Sequence, residues 1–152
     1  MKVLFALIIS IALISCASTR RLSLIDEAEI AKLTLDYAIS TWKGCFGCNI
    51  KYLFLGVERK TLDRDFLEHF KYPGLVIASQ EETETDCENG IISKETGGRG
   101  YAFSVFEVTE MKKDRVEVKW GHWYSCKSYS YKYSTLVKIS GKWSIVPTSS
   151  SS

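Results

Sequence analysis

The chain has 152 residues, 45% of them hydrophobic and 25% charged, which is enough for one domain with its own core and too little to expect a second. Its formal charge is +2, one unit of it from Lys2 at the very start, so no strong field is available to capture nucleic acid or an acidic polymer. Partners must be recognised by shape.

Residues 1–15 read as a processing signal. Met1 and Lys2 give a short positive start, Val3 to Ile14 is almost wholly apolar, and the run is too short for a comfortable membrane span, which needs about 20 residues. It closes on Leu13-Ile14-Ser15-Cys16. That tetrapeptide resembles the lipobox of bacterial lipoprotein precursors, in which a branched residue and a small residue precede the cysteine that receives a diacylglyceryl group. The resemblance implies that Cys16 becomes the lipidated N-terminus and that the membrane is the first partner. It also implies a cell-envelope location, with Ala17 rather than Asp pointing to the outer membrane of a Gram-negative source. Residues 16–24 then form a polar tether, and a single α+β domain is expected over 25–147, followed by a disordered serine-rich tail at 148–152.

From Ile25 to Trp42 the apolar residues Ala28, Ala31, Leu35, Ala38, Ile39 and Trp42 recur at three and four, with Ile30, Leu33 and Tyr37 widening the stripe. Asp26, Glu27 and Glu29 fill the first turn and Gly44 is placed to stop the helix. Next comes Cys45-Phe46-Gly47-Cys48. Haem attachment fails because Asn49 follows, and a redox pair lacks the helix N-terminus that would activate its thiol. Zinc would need Cys87 and Cys126, which an oxidising compartment disfavours. Two structural disulfides are the default. Cys87 with Cys126 is the favoured long-range bridge beside a local Cys45–Cys48 pair, and a bridge from Cys45 or Cys48 to Cys126 is the alternative.

Ile50 to Val57 is rich in β-formers and predicts a strand, Thr61 caps a short helix through Phe70, and Leu75 to Ala78 reads as a buried strand. His69 falls near that helix's end as a boundary residue. Glu81, Glu82, Glu84, Asp86 and Glu88 suggest calcium, but their spacing misses the EF-hand template, so a solvated edge strand or loop is expected. Gly97 to Gly100 follows as a flexible connection.

Tyr101 to Val146 predicts a four-stranded antiparallel meander with breaks at 112–115, 125–128 and 140–142. With Cys126 and Lys127 as the middle loop, Tyr124 faces Tyr129, His122 faces Tyr131, Trp120 faces Tyr133, Val118 faces Thr135 and Val116 faces Val137. That places the apolar partners on one face, and Lys119 and Lys132 on the wetter side with Leu136. A three-residue final loop pairs Ile139 with Trp143 and Val137 with Ile145. A tip at Lys113-Asp114 sets Glu107 opposite Trp120, on the aromatic face with His122.

The expected fold is therefore α+β: an N-terminal helix and a short second helix packed on a curved antiparallel sheet that ends in the meander. This arrangement, with its closing hairpin from Leu136 to Ile145, is similar to the NTF2-like and cystatin-like folds, and the resemblance implies a concave pocket but no chemistry. The candidate pocket comprises Glu107, Trp120, His122, Tyr124, Tyr131 and Tyr133. Two functions compete. One is a lipid-anchored envelope module that binds, inhibits or assists, gripping a protein or a small apolar ligand. The other is a small enzyme in which Glu107 and His122 act as an acid–base pair. No nucleophile motif, metal-ligand spacing or phosphate loop is present, so no cofactor, metal or committed catalytic residue is expected.

Overall fold

Apolar positions three and four apart give helix α1 (Leu24–Thr41) in a computed structural model that describes residues 22–42, 49–58 and 60–146. Ser23 caps it by accepting from the Asp26 amide at 3.1 Å. The buried stripe is Ile30, Ala31, Thr34, Leu35, Ala38 and Ile39, rotated from the expected one so that Ala28 is exposed. Thr34 is tolerated inside because its hydroxyl donates to the Ile30 carbonyl at 2.8 Å. Trp42 follows as the C-cap, and the expected stop at Gly44 lies outside the described residues.

The remaining elements are β1 (Tyr52–Val57), α2 (Arg64–Glu68), β2 (Val76–Ser79), β3 (Thr83–Asp86), β4 (Gly90–Ser93), β5 (Arg99–Lys112), β6 (Arg115–Ser125), β7 (Ser128–Ile139) and β8 (Lys142–Val146). They build one curled sheet in the order β2-β1-β5-β6-β7-β8, with the β3–β4 hairpin joined through β4 to the start of β5. The fold is α+β, a helix packed on a curved sheet with the antiparallel meander β5–β8. The sheet as a whole is mixed and not antiparallel, because β1 runs parallel to both β2 and β5. The crossover through α2 returns the chain in its original direction, and only a connection of that length permits parallel neighbours.

Local details depart from expectation for physical reasons. Asp63, a stronger cap than Thr61, accepts from the Phe66 amide at 2.7 Å and shortens α2, while the Thr61 hydroxyl donates to Glu81 at 3.1 Å. The run Leu75 to Ala78 is an edge and not a buried strand, with Val76 52% exposed. In the acidic stretch Glu82 accepts from the Ser79 amide at 3.0 Å, and Asp86 accepts from the Glu88 amide and the Asn89 side chain, both at 2.7 Å. These carboxylates close turns. Gly97 to Gly100 is tied into the β4–β5 hairpin by the Ser93 amide donating to the Gly98 carbonyl at 2.9 Å.

Register is where the sheet differs most from the pattern. The loop Cys126-Lys127 is as expected, but a bulge between Trp123 and Ser125 shifts the β6–β7 pairing by one residue. Val116 now faces Leu136, Val118 faces Ser134, Trp120 faces Lys132, Gly121 faces Tyr131 and Trp123 faces Tyr129. The last loop has two residues, Ser140 and Gly141, both at positive φ, so Lys138 faces Trp143 and Leu136 faces Ile145. Burial explains the choice. Leu136 is fully buried, a gain of about 1.5–3 kcal/mol, whereas tyrosines tolerate a wet face through their hydroxyls.

The inner face packs Val105, Val116, Val118, Trp120, Leu136 and Trp143 against Ile30, Leu35 and Ile39 of α1. On the outer face Phe54, Ala78, Ile91 and Ala102 form a small second core under the β3–β4 hairpin. Cys87 and Cys126 are disulfide-bonded, with Cα atoms 5.1 Å apart across a separation of 39 residues, and so tie the β3–β4 turn to the β6–β7 turn. Cys16, Cys45 and Cys48 lie outside the described residues, as do 1–15 and 148–152.

Candidate binding face

The register shifts divide the six candidate pocket residues between the two faces of the sheet. Trp120 is an inner core residue, 2% exposed, whose Nε1 donates to Ser134 Oγ at 2.8 Å and whose edge meets Tyr37. His122 is also inner, flanked by Trp42 and Phe103 with ring centroids at 6.4 and 5.6 Å. Burial, and then the charge of Lys132, lower its pKa and favour the neutral ring. Among the described residues its buried Nδ1 has no hydrogen-bond partner. Tyr124 packs on Tyr101 at 5.5 Å near the same end.

Glu107, Tyr131 and Tyr133 lie on the other side. Counted from the hairpin tip, a shift between Glu110 and Lys112 puts Glu107 opposite Lys119, where it accepts from the Thr109 hydroxyl at 3.2 Å, and a bulge between Val105 and Glu107 then leaves Phe106 unpaired. Glu107 and His122 therefore point away from each other across the sheet, and the acid–base pair expected from the pattern does not form. The correction has one cause. Side chains alternate with a period of two, so a single inserted residue moves every later one to the opposite face.

The bulge builds something the sequence pattern did not reveal. Phe106, the inserted residue, lies over Gly121, where a side chain would collide with the Ser130 carbonyl and the Phe106 ring. Its ring meets Trp123 at 5.8 Å and Tyr131 at 5.1 Å, and Tyr131 meets Tyr129 at 5.2 Å. Lys119 Nζ sits 5.0 Å from the Tyr131 centroid. Tyr129, Tyr131 and Tyr133 remain 63%, 50% and 56% exposed. The result is an aromatic platform across β5, β6 and β7.

Small residues extend it sideways. Gly56, Ser104 and Gly121 stand in register on β1, β5 and β6, and the Ser104 hydroxyl donates to Gln80 Oε1 at 2.5 Å. Beside this floor lies an open groove of about 590 Å³ lined by Gly56, Glu58, Thr61, Gln80, Glu81 and Phe106. Phe106 thus belongs to both the groove and the platform. The sequence signal that could have found this site is the triplet Tyr129, Tyr131 and Tyr133 at alternate positions, which marks one face of a strand without saying which.

Among the described residues no group of three or more His, Cys, Asp or Glu side chains could hold a metal ion, and no helix is long and apolar enough to cross a membrane. Comparison of the chain with protein-family models, with curated proteins and with solved structures finds no match.

Proposed function

We propose that the chain is a binding module of the cell envelope, held on the membrane through lipid on Cys16, with the outer-face platform as its recognition surface. The observation that carries the reading is the unbroken ring-to-ring line Trp123, Phe106, Tyr131, Tyr129, half exposed on a sheet face that neither described helix covers. Contiguous exposed aromatics are the composition of interface centres, where Tyr and Trp supply large contact areas at low entropic cost. Lys119 over Tyr131 and the polar groove beyond Phe106 add charge and hydrogen-bonding capacity at the rim. A protein segment or a small ligand with an apolar side fits this surface.

A photo-cross-linking residue at position 131, tested in cells that make the full chain, should yield a discrete adduct. The same residue at position 95, on the β4–β5 turn, should not. Tyr129→Ala combined with Tyr133→Ala should weaken the adduct several-fold and leave the unfolding transition within a few degrees, because both rings are exposed. Equal adducts from both positions, or none from 131, would count against the platform.

A further inference from the structure

One end of the molecule gathers the start of α1, the β5–β6 turn and the β7–β8 turn. Lys138 pairs with Asp26, Trp143 Nε1 donates to Asp26 at 2.8 Å, and the Lys138 amide donates to the Asp114 carbonyl at 2.8 Å. From there α1 runs the length of the sheet, and Trp42 meets Tyr101, Phe103 and His122 at the opposite end, where the disulfide closes the β6–β7 turn.

The two ends differ in chemistry. At the first, Leu24, Ile25, Met111 and Ile139 are 79%, 81%, 52% and 63% exposed. Its two turns carry Lys112, Lys113, Arg115 and Lys142 against Asp114, with Glu110 and Glu117 on the flanking strands. Of the acids at the start of α1, Asp26 is tied to Lys138 and Glu27 to Lys60. At the other end Glu84, Asp86 and Glu88 crowd the hairpin that the disulfide fastens. Exposed aliphatics interleaved with Lys and Arg form a surface that suits a lipid interface with anionic headgroups.

The tether enters the domain at the same end. Leu24 follows Cys16 by only eight residues, and even fully extended these reach about 29 Å. A helix of 18 residues is about 27 Å long, so the opposite end lies a helix length from Leu24, where the tether enters the domain.

We infer that this end is the membrane-facing surface of the domain. Leu24, Ile25 and Ile139 enter the headgroup region of the bilayer that holds the Cys16 lipid, and Lys112, Lys113, Arg115 and Lys142 meet its anionic headgroups. Trp123 and Tyr129, next to the β6–β7 turn, are thereby presented away from the membrane. The inference rests on the lipid-anchored reading above.

The test uses the mature full-length chain in vesicles of phosphatidylethanolamine and phosphatidylglycerol, treated with a water-soluble amine-acylating reagent and read by peptide mass. Lys112, Lys113 and Lys142 should acylate several-fold more slowly than in the soluble Cys16→Ser chain, while Lys94 and Lys127 react equally in both. Lipid mass on Cys16 together with equal rates at all five lysines would overturn the inference and leave the anchor standing. Absence of lipid on Cys16 would sink the anchor instead. The surface is then decided by co-sedimentation of the Cys16→Ser chain with the same vesicles. Salt-sensitive binding, weakened about fivefold or more by K112E/K113E/R115E, supports it, and no binding refutes it. Slow acylation of these lysines without vesicles, accompanied by a dimer mass, would reassign the surface to a second copy of the chain and defeat the proposal.

Discussion

Asp26 joins the start of the first helix to the last hairpin. Its carboxylate pairs with Lys138 and accepts from Trp143 Nε1 at 2.8 Å and from the Ser23 hydroxyl at 2.9 Å. The hydrogen bond from Lys138, and after it that from Trp143, hold its pKa at about 2, below the ordinary 3.8. The folded carboxyl thus binds its proton less readily than the unfolded one. The stabilisation is complete above the unfolded value and is lost as pH falls from there through the folded one. With 20% of the side chain exposed, solvent screening reduces the contribution to about 1–2 kcal/mol. Asp26→Asn should cost about that much at neutral pH and flatten the acid limb of the stability curve between the two pKa values. Acid limbs of equal slope in the two proteins would show that Asp26 is not the titrating group.

At the scale of elements, the β3–β4 hairpin is paired with the sheet at Ile91 and Ile92, opposite Gly100 and Arg99 on β5, and Arg99 Nε donates to the Asn89 carbonyl in its turn at 2.6 Å. The Cys87–Cys126 bridge adds a covalent attachment, and it closes a separation of 39 residues. In the chain-entropy picture a loop of that size contributes about 4 kcal/mol. Urea unfolding of a Cys87→Ser, Cys126→Ser chain should show a loss of that order, with hydrogen exchange accelerating first in β3 and β4. A uniform acceleration across β5 to β8 would mean that the bridge stabilises the whole sheet and not this hairpin. Registers belong to this scale too. Two of the three meander loops, Lys113-Asp114 and Cys126-Lys127, could be read from their polar residues, and the third was misjudged by one residue at Ser140-Gly141. The bulges inside the strands were invisible, because nothing in Phe106, Met111 or Tyr124 distinguishes an inserted residue from an ordinary alternating one.

For the whole molecule, the governing proposal is that the domain works at a membrane surface without crossing it. Changing Cys16 to Ser should move the chain from the detergent phase to the aqueous phase and remove the lipid mass from its N-terminus. Its unfolding transition should stay where it was, since Cys16 lies ahead of the described domain. A variant that still partitions with membranes would defeat the anchor.

The first helix, the strand-rich second half and the α+β class follow from the sequence alone, because each rests on local periodicity repeated over many residues. So does the Cys87–Cys126 preference, because a bridge over a long loop contributes more than a local one. The candidate site does not follow in this way. Whether Glu107, Tyr131 and Tyr133 share a face with Trp120 and His122 depends on the parity of residues between strands, and one bulge reverses that parity. Tertiary packing decided it. Leu136 and Ser134 had to meet the inner core and the Trp120 indole, which sent the tyrosines of β7 outward and assembled them with Phe106 and Trp123. The parallel pairings of β1 were settled the same way, by the α2 crossover that lays β2 along one edge and by the later placement of β5 along the other, and not by any residue within these strands.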